Sequence, residues 1–177
     1  MLFKGTSKIA SLNWESEKEL LAQISELYTK HRIATAEDRP ALYRQIDSLS
    51  GLAAQFTVGN EYDQLMRSLG AKNTNAFTFL DRTVFMNDIP SNEVEKWLML
   101  ESERFSELVL RLFHTELETV YEEFNIAQNN DYRKVFQAML QGLLPNHPYG
   151  TQSTIGKGEH LKAPSMEKIH DFFEKYY

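Results

Sequence analysis

The chain has 177 residues, no cysteine, and 25 acidic against 19 basic side chains for a formal charge of −6. That length suits one domain, and a hydrophobic content of 42% supplies its core. The acidic balance argues against a phosphate-tracking surface, so nucleic acid is not an expected partner, and the missing cysteines exclude disulfides, thiolate nucleophiles and cysteine-held metals. No apolar run approaches the ~20 residues that span a bilayer, and Met1-Leu2-Phe3-Lys4 is not followed by the apolar core of a signal peptide.

Leu20, Leu21, Ile24, Leu27 and Tyr28 recur at steps of three and four, which predicts an amphipathic helix from about Glu15 to His31. Thr35 or Asp38 can cap a second helix with Pro40 in its first turn, along which Leu42, Ile46, Leu49, Ala53 and Phe56 repeat. A short polar loop between them predicts an antiparallel helical hairpin with the Leu20 and Ile46 faces in contact. A shorter helix through Tyr62, Leu65 and Met66 should stop at Gly70 in a left-handed cap.

The period then changes. Thr74 to Leu80 and Arg82 to Ile89 carry Phe, Thr and Val and predict two short strands reversing at Asp81-Arg82. Pro90 and Ser91 open a helix bearing Val94, Trp97, Leu98, Glu101, Phe105 and Leu108. Further helices are expected from about Glu116 through Phe124 and over Asp131 to Leu144. Asn146 to Pro164 reads as loop, and Ser165 caps a last helix. The sum is an α+β chain, helix-rich, with one antiparallel β-hairpin and one helical hairpin.

Glu116 and Glu123 are seven residues apart, which places them on nearly one helix face about 10 Å apart in rise, too far to share one metal ion directly. One can ligate while the other steadies a neighbouring ligand. Glu118 and Glu122 point elsewhere on the same helix, and from the spacing alone a solvated acidic surface for all four is the favoured reading. The histidines His31, His114, His147, His160 and His170 form no His-x-x-x-His or His-x-x-Glu-His pair. Glu167-Lys168-Ile169-His170 is a single Glu-x-x-His unit where a di-iron bundle needs two. No Gly-x-Ser-x-Gly elbow and no phosphate-cradling glycine motif occurs.

Several segments, in order, resemble a known family. Met1-Leu2-Phe3-Lys4-Gly5-Thr6 is similar to the stretch that follows the His-x-x-Glu-His motif in zinc metallopeptidases of the insulinase, pitrilysin and mitochondrial processing peptidase family. Gly70-Ala71, Asn75-Ala76-Phe77-Thr78 with Asp81, Thr83 and Phe85, and Leu100-Glu101-Ser102-Glu103-Arg104 resemble its hairpin and the helix after it. Glu116 through Glu123 resembles its Glu-x-x-x-x-x-x-Glu segment, and His147-Pro148-Tyr149-Gly150 with Ile155-Gly156 the loop beyond.

This resemblance implies an interior piece of a metalloendopeptidase that hydrolyses peptides by zinc-activated water. It implies one partial peptidase domain over residues 1–177, with residues 12–66 as a helical insertion and the hairpin as part of a larger sheet. Glu123 takes the place of the third zinc ligand and Glu116 that of a carboxylate supporting the site. Asn75, Ala76 and Phe77 fall on the edge strand that pairs with an extended peptide substrate. The two histidine ligands and the general base would precede Met1, so the chain alone is expected to be inactive and to bind no zinc tightly.

Its partners would be a peptide or protein substrate and the remainder of the parent peptidase, in a compartment that the sequence leaves open, the periplasm or cell envelope fitting the resemblance. A bare hairpin is marginal in water, which predicts self-association through an edge at Asn75 to Thr78 or Thr83 to Met86, or helices covering that edge. Two alternatives stand beside the peptidase: a non-catalytic, peptide-binding or structural member of the same family, and a helical interaction module built on residues 20–56.

Overall fold

A computed structural model describes all 177 residues. It is helix-rich α+β: α1 (Trp14–Ile33), α2 (Arg39–Ala54), α3 (Glu61–Ser68), β1 (Lys72–Thr78), β2 (Thr83–Asp88), α4 (Val94–Ser106), α5 (Phe113–Gln128), α6 (Asp131–Leu143), α7 (Pro148–Thr151), α8 (Gly158–Lys162) and α9 (Met166–Tyr176). The two strands form one antiparallel sheet. No helix is long and apolar enough to cross a membrane. The chain divides into two compact units. The first comprises Met1–Asn75, Met86–His114 and Pro164–Tyr177, and the second Ala76–Phe85 and Thr115–Ala163.

In the first unit, α1 begins where Asn13 Oδ1 accepts the Ser16 amide, a side-chain cap on one of the helix's orphan donors. Its stripe buries Ile24, Tyr28 and His31, and α2, with Pro40 in its first turn, packs against it with Ile46 and Ala53 buried. This is the expected helical hairpin. Its two ends are stitched together at a single antiparallel bridge between Ser11 and Thr57, flanked by Leu12 N–H to Phe56 O at 2.8 Å and Val58 N–H to Ala10 O at 3.0 Å. The α1–α2 excursion is therefore closed at its base by backbone pairing rather than hung on a loose loop.

α3 buries Tyr62 and Met66 and gives way at Gly70, whose φ of +81° is the left-handed conformation expected there. At the other end of the chain Ser165 Oγ accepts the Lys168 amide as expected, and α9 buries Met166 and Phe173 while packing on α1.

Four expectations need correction. Phe56 does not extend α2, which ends at Ala54: it sits in the turn beyond, where its carbonyl accepts the Leu12 amide at 2.8 Å. The strands sit slightly off the predicted bounds, at Lys72–Thr78 and Thr83–Asp88. Leu108 does not belong to a helix: α4 ends at Ser106, and Leu108, Val109 and Leu110 run buried in the connection to α5. Three successive apolar residues buried together have no helical period, and α4's own stripe ends at Phe105. Finally, Asn146 to Pro164 is not all loop. His147 Nδ1 accepts the Tyr149 amide at the start of α7, and α8 follows at Gly158. Helices of four and five residues are too short to show periodicity.

The second unit contains the hairpin tip, most of α5, and α6, α7 and α8. Every buried hydrophobic residue of the protein lies in the first unit, and α6 has no buried residue at all.

Candidate functional site

Glu116 and Glu123 both lie on α5, as their spacing required. Glu116 is half-buried in the helix's first turn, whereas Glu123 is exposed. Glu123 borders a shallow cavity of about 290 Å³ shared with Ile126, Asn130, Arg133 and Ile155. Asn75, Ala76 and Phe77 lie on β1, alternating outward and half-buried along the strand. The sheet has two strands, so β1 is an edge strand. Phe77 packs edge-on against Phe79, with ring centres 5.2 Å apart.

Nowhere do three His, Asp or Glu side chains converge on a point where they could hold a metal ion. A hydrolytic zinc takes three protein donors and a water. Glu123 offers one carboxylate, and the side chains present do not fit a zinc site by themselves.

What the structure does assemble is a set of buried polar groups around the segment 1–10. Arg111, fully buried just before α5, donates from Nε to Glu17 Oε1 at 2.5 Å and from Nη2 to Glu17 Oε2 at 2.9 Å. The same guanidinium donates to the carbonyls of Lys4 (2.8 Å), Thr6 (3.1 Å) and Ile9 (3.1 Å). A forked cation meeting a carboxylate at two points and three carbonyls uses all five of its N–H groups. Gly5, at φ +91°, allows the turn: a Cβ there would stand 2.2 Å from Ile9 O and 2.9 Å from Arg111 Nη1.

A second cluster joins the same segment to α4. Arg104 is buried with its guanidinium 5.1 Å over Phe3, 5.0 Å over Tyr62 and 4.6 Å over Phe105, and it pairs with Glu101, which also accepts the Tyr62 hydroxyl. Burial, reinforced by the bond to Glu101, pushes the Tyr62 phenol well above its ordinary range. Glu103 accepts Lys8 Nζ at 2.7 Å and Thr6 Oγ1 at 2.8 Å, and these bonds, Lys8 first, hold its carboxyl below the usual range.

A third cluster ties α1 and α2 to the start of α5. The Tyr28 hydroxyl lies 2.7 Å from His114 Nδ1, the Asp47 carboxylate lies 3.7 Å from His114 Nε2, and the Tyr43 ring stands between His114 and His31 at 4.9 and 6.2 Å. Burial, with Arg39 nearby, pushes the His31 imidazole below its ordinary value.

The motif residues Glu101 and Arg104 were visible in the sequence, but their joint task with Phe3 was not. Arg111 and Glu17 carry no signal in the sequence, because a buried ion pair 94 residues apart has no local signature. No known protein family and no curated protein matches the sequence.

Proposed function

We propose that this chain is part of a zinc-dependent metalloendopeptidase of the insulinase, pitrilysin and processing peptidase type. The observation that carries the proposal is the convergence of motif segments far apart in the chain. Phe3 and Thr6, from the segment resembling the one after the zinc motif, meet Arg104 and Glu103, from the Leu-Glu-x-x-Arg segment, about a hundred residues later. An ordered set of short matches is easier to dismiss when the matched pieces have no structural reason to occur together. Here two of them build one buried cluster.

Further support comes from the placement of the remaining motif residues. Asn75 to Phe77 lie on an edge strand, where an extended peptide adds through backbone hydrogen bonds and is held with little sequence preference. Glu123 is solvent-facing on a continuous helix, suited to donate a carboxylate oxygen to zinc held mainly by groups outside these residues. Glu116, two turns earlier and half-buried, is placed to orient a neighbouring donor. In a site completed by those outside groups, zinc would supply an acidified water, and this chain's share would be the Glu123 carboxylate.

The test pairs the chain with the polypeptide encoded directly upstream of Met1. That segment should carry His-x-x-Glu-His, and the reassembled protein should bind zinc in a way that depends on Glu123. An upstream segment without the motif would remove the peptidase reading and favour a non-catalytic member of the family.

A further inference from the structure

The surface of α6 is the least explained part of the molecule. After Asp131, Arg133 and Lys134 in its opening turn, the helix runs from Val135 to Leu143 without a charged residue, yet it buries none of them. Tyr132, Val135, Phe136, Met139 and Leu143 lie on one side of the helix within an arc of about 100°. They are 79%, 69%, 42%, 47% and 69% exposed. Surface helices ordinarily turn charged residues outward, and an apolar stripe of this kind marks a binding face. Beside it lies a groove of about 470 Å³, its walls mixing the apolar Leu80, Phe136, Leu140 and Ile155 with polar side chains that include Arg133 and Lys134.

We infer that this face is covered by the α6 helix of a second copy of the chain, packed antiparallel about a twofold axis. Area supports this occupant. With Tyr132 and Phe136 each able to bury roughly 150–250 Å² when fully covered, and three part-exposed aliphatic side chains beside them, the stripe offers on the order of 500 Å², and the groove walls bring it near the ~600 Å² per partner of the smaller specific interfaces.

The order of residues supports it too. Setting Tyr132 opposite Leu143 automatically sets Phe136 opposite Met139 and Val135 opposite Leu140, so one isologous register gives each residue of the stripe an apolar partner. In that register Asp131, Arg133 and Lys134 face Leu144, Gly142 and Gln141, none of them charged. A parallel pairing would instead place Lys134 against Lys134. The helix dipoles also oppose each other in the antiparallel arrangement, each positive end lying beside the partner's negative end.

The absence of cysteine gives a clean test on the full chain. Sedimentation equilibrium should show the mass rising with concentration from 20.6 kDa toward twice that value. Phe136→Asp, at an exposed position that leaves the circular dichroism unchanged, should weaken association about tenfold or more. Under mild oxidation, a mixture of Tyr132→Cys and Leu143→Cys chains should cross-link to each other, and each variant alone should not. A monomer at every concentration, a dimer indifferent to Phe136→Asp, or Tyr132→Cys cross-linking with itself as readily as with Leu143→Cys would each overturn the assignment.

Discussion

Arg111 and Glu17, 94 residues apart, form a buried ion pair at 2.5 Å and 2.9 Å that also gathers the carbonyls of Lys4, Thr6 and Ile9. Its consequence is geometric: the segment 4–9 is fixed against the residue that precedes α5 by only one position, Leu112. Removing one partner strands the other's charge in the interior, which costs about 3–5 kcal/mol. Urea unfolding of Glu17→Gln and Arg111→Met should each show a loss of that order, and the double variant should lose clearly less than the two added together. Additive losses would mean that the two side chains do not act as a pair.

Gly5→Ala should destabilise the same segment. The backbone there adopts φ +91° and a methyl group would meet Ile9 O and the Ala10 side chain, so a cost of about 1–3 kcal/mol is expected in the same unfolding measurement. An unchanged midpoint would contradict the description of this turn.

Stability should fall on the acid side in two stages. His31 is held below its ordinary pKa of 6.5, so the unfolded chain binds the proton more readily than the folded one. That contribution is present above about pH 6.5 and is lost as the pH drops below it. Glu103 is also lowered, from 4.5, so its contribution is present above that value and disappears as the pH falls through the lowered one. Thermal melts of His31→Gln should lose the first stage and keep the second. A first stage of undiminished size in that variant would assign it to another group.

Glu123→Ala should leave stability within about 0.5 kcal/mol of the parent, since the side chain is exposed. Set beside the large effect expected at Glu17, this separates a carboxylate that holds the fold from one proposed to serve a metal. A marked loss at Glu123 would recast it as structural.

Much of the architecture was legible wherever side chains repeat. The stripes of α1, α2 and α3, the Ser165 cap, the Gly70 cap and the change of period into the hairpin all follow from neighbouring residues. What escaped was of two kinds. α7 and α8 are shorter than the period that reveals a helix, and Leu108 to Leu110 are buried by their surroundings rather than by a pattern of their own. The polar clusters are non-local: nothing near Glu17 announces Arg111, and nothing near Phe3 announces Arg104. For the candidate site, the sequence placed Glu116 and Glu123 on one helix and Asn75 to Phe77 on a strand, and the structure agrees. Their roles rest on the family resemblance.

The most direct test of the peptidase proposal is zinc content and peptide cleavage, measured on this chain alone and after assembly with the polypeptide encoded upstream of Met1. The chain alone should retain no zinc through dialysis and cleave nothing. The assembly should hold about one zinc and cleave an unstructured peptide, with both properties lost in Glu123→Ala and kept in Glu118→Ala. Zinc retained by the isolated chain, or an active assembly indifferent to Glu123→Ala, would contradict the role proposed for Glu123.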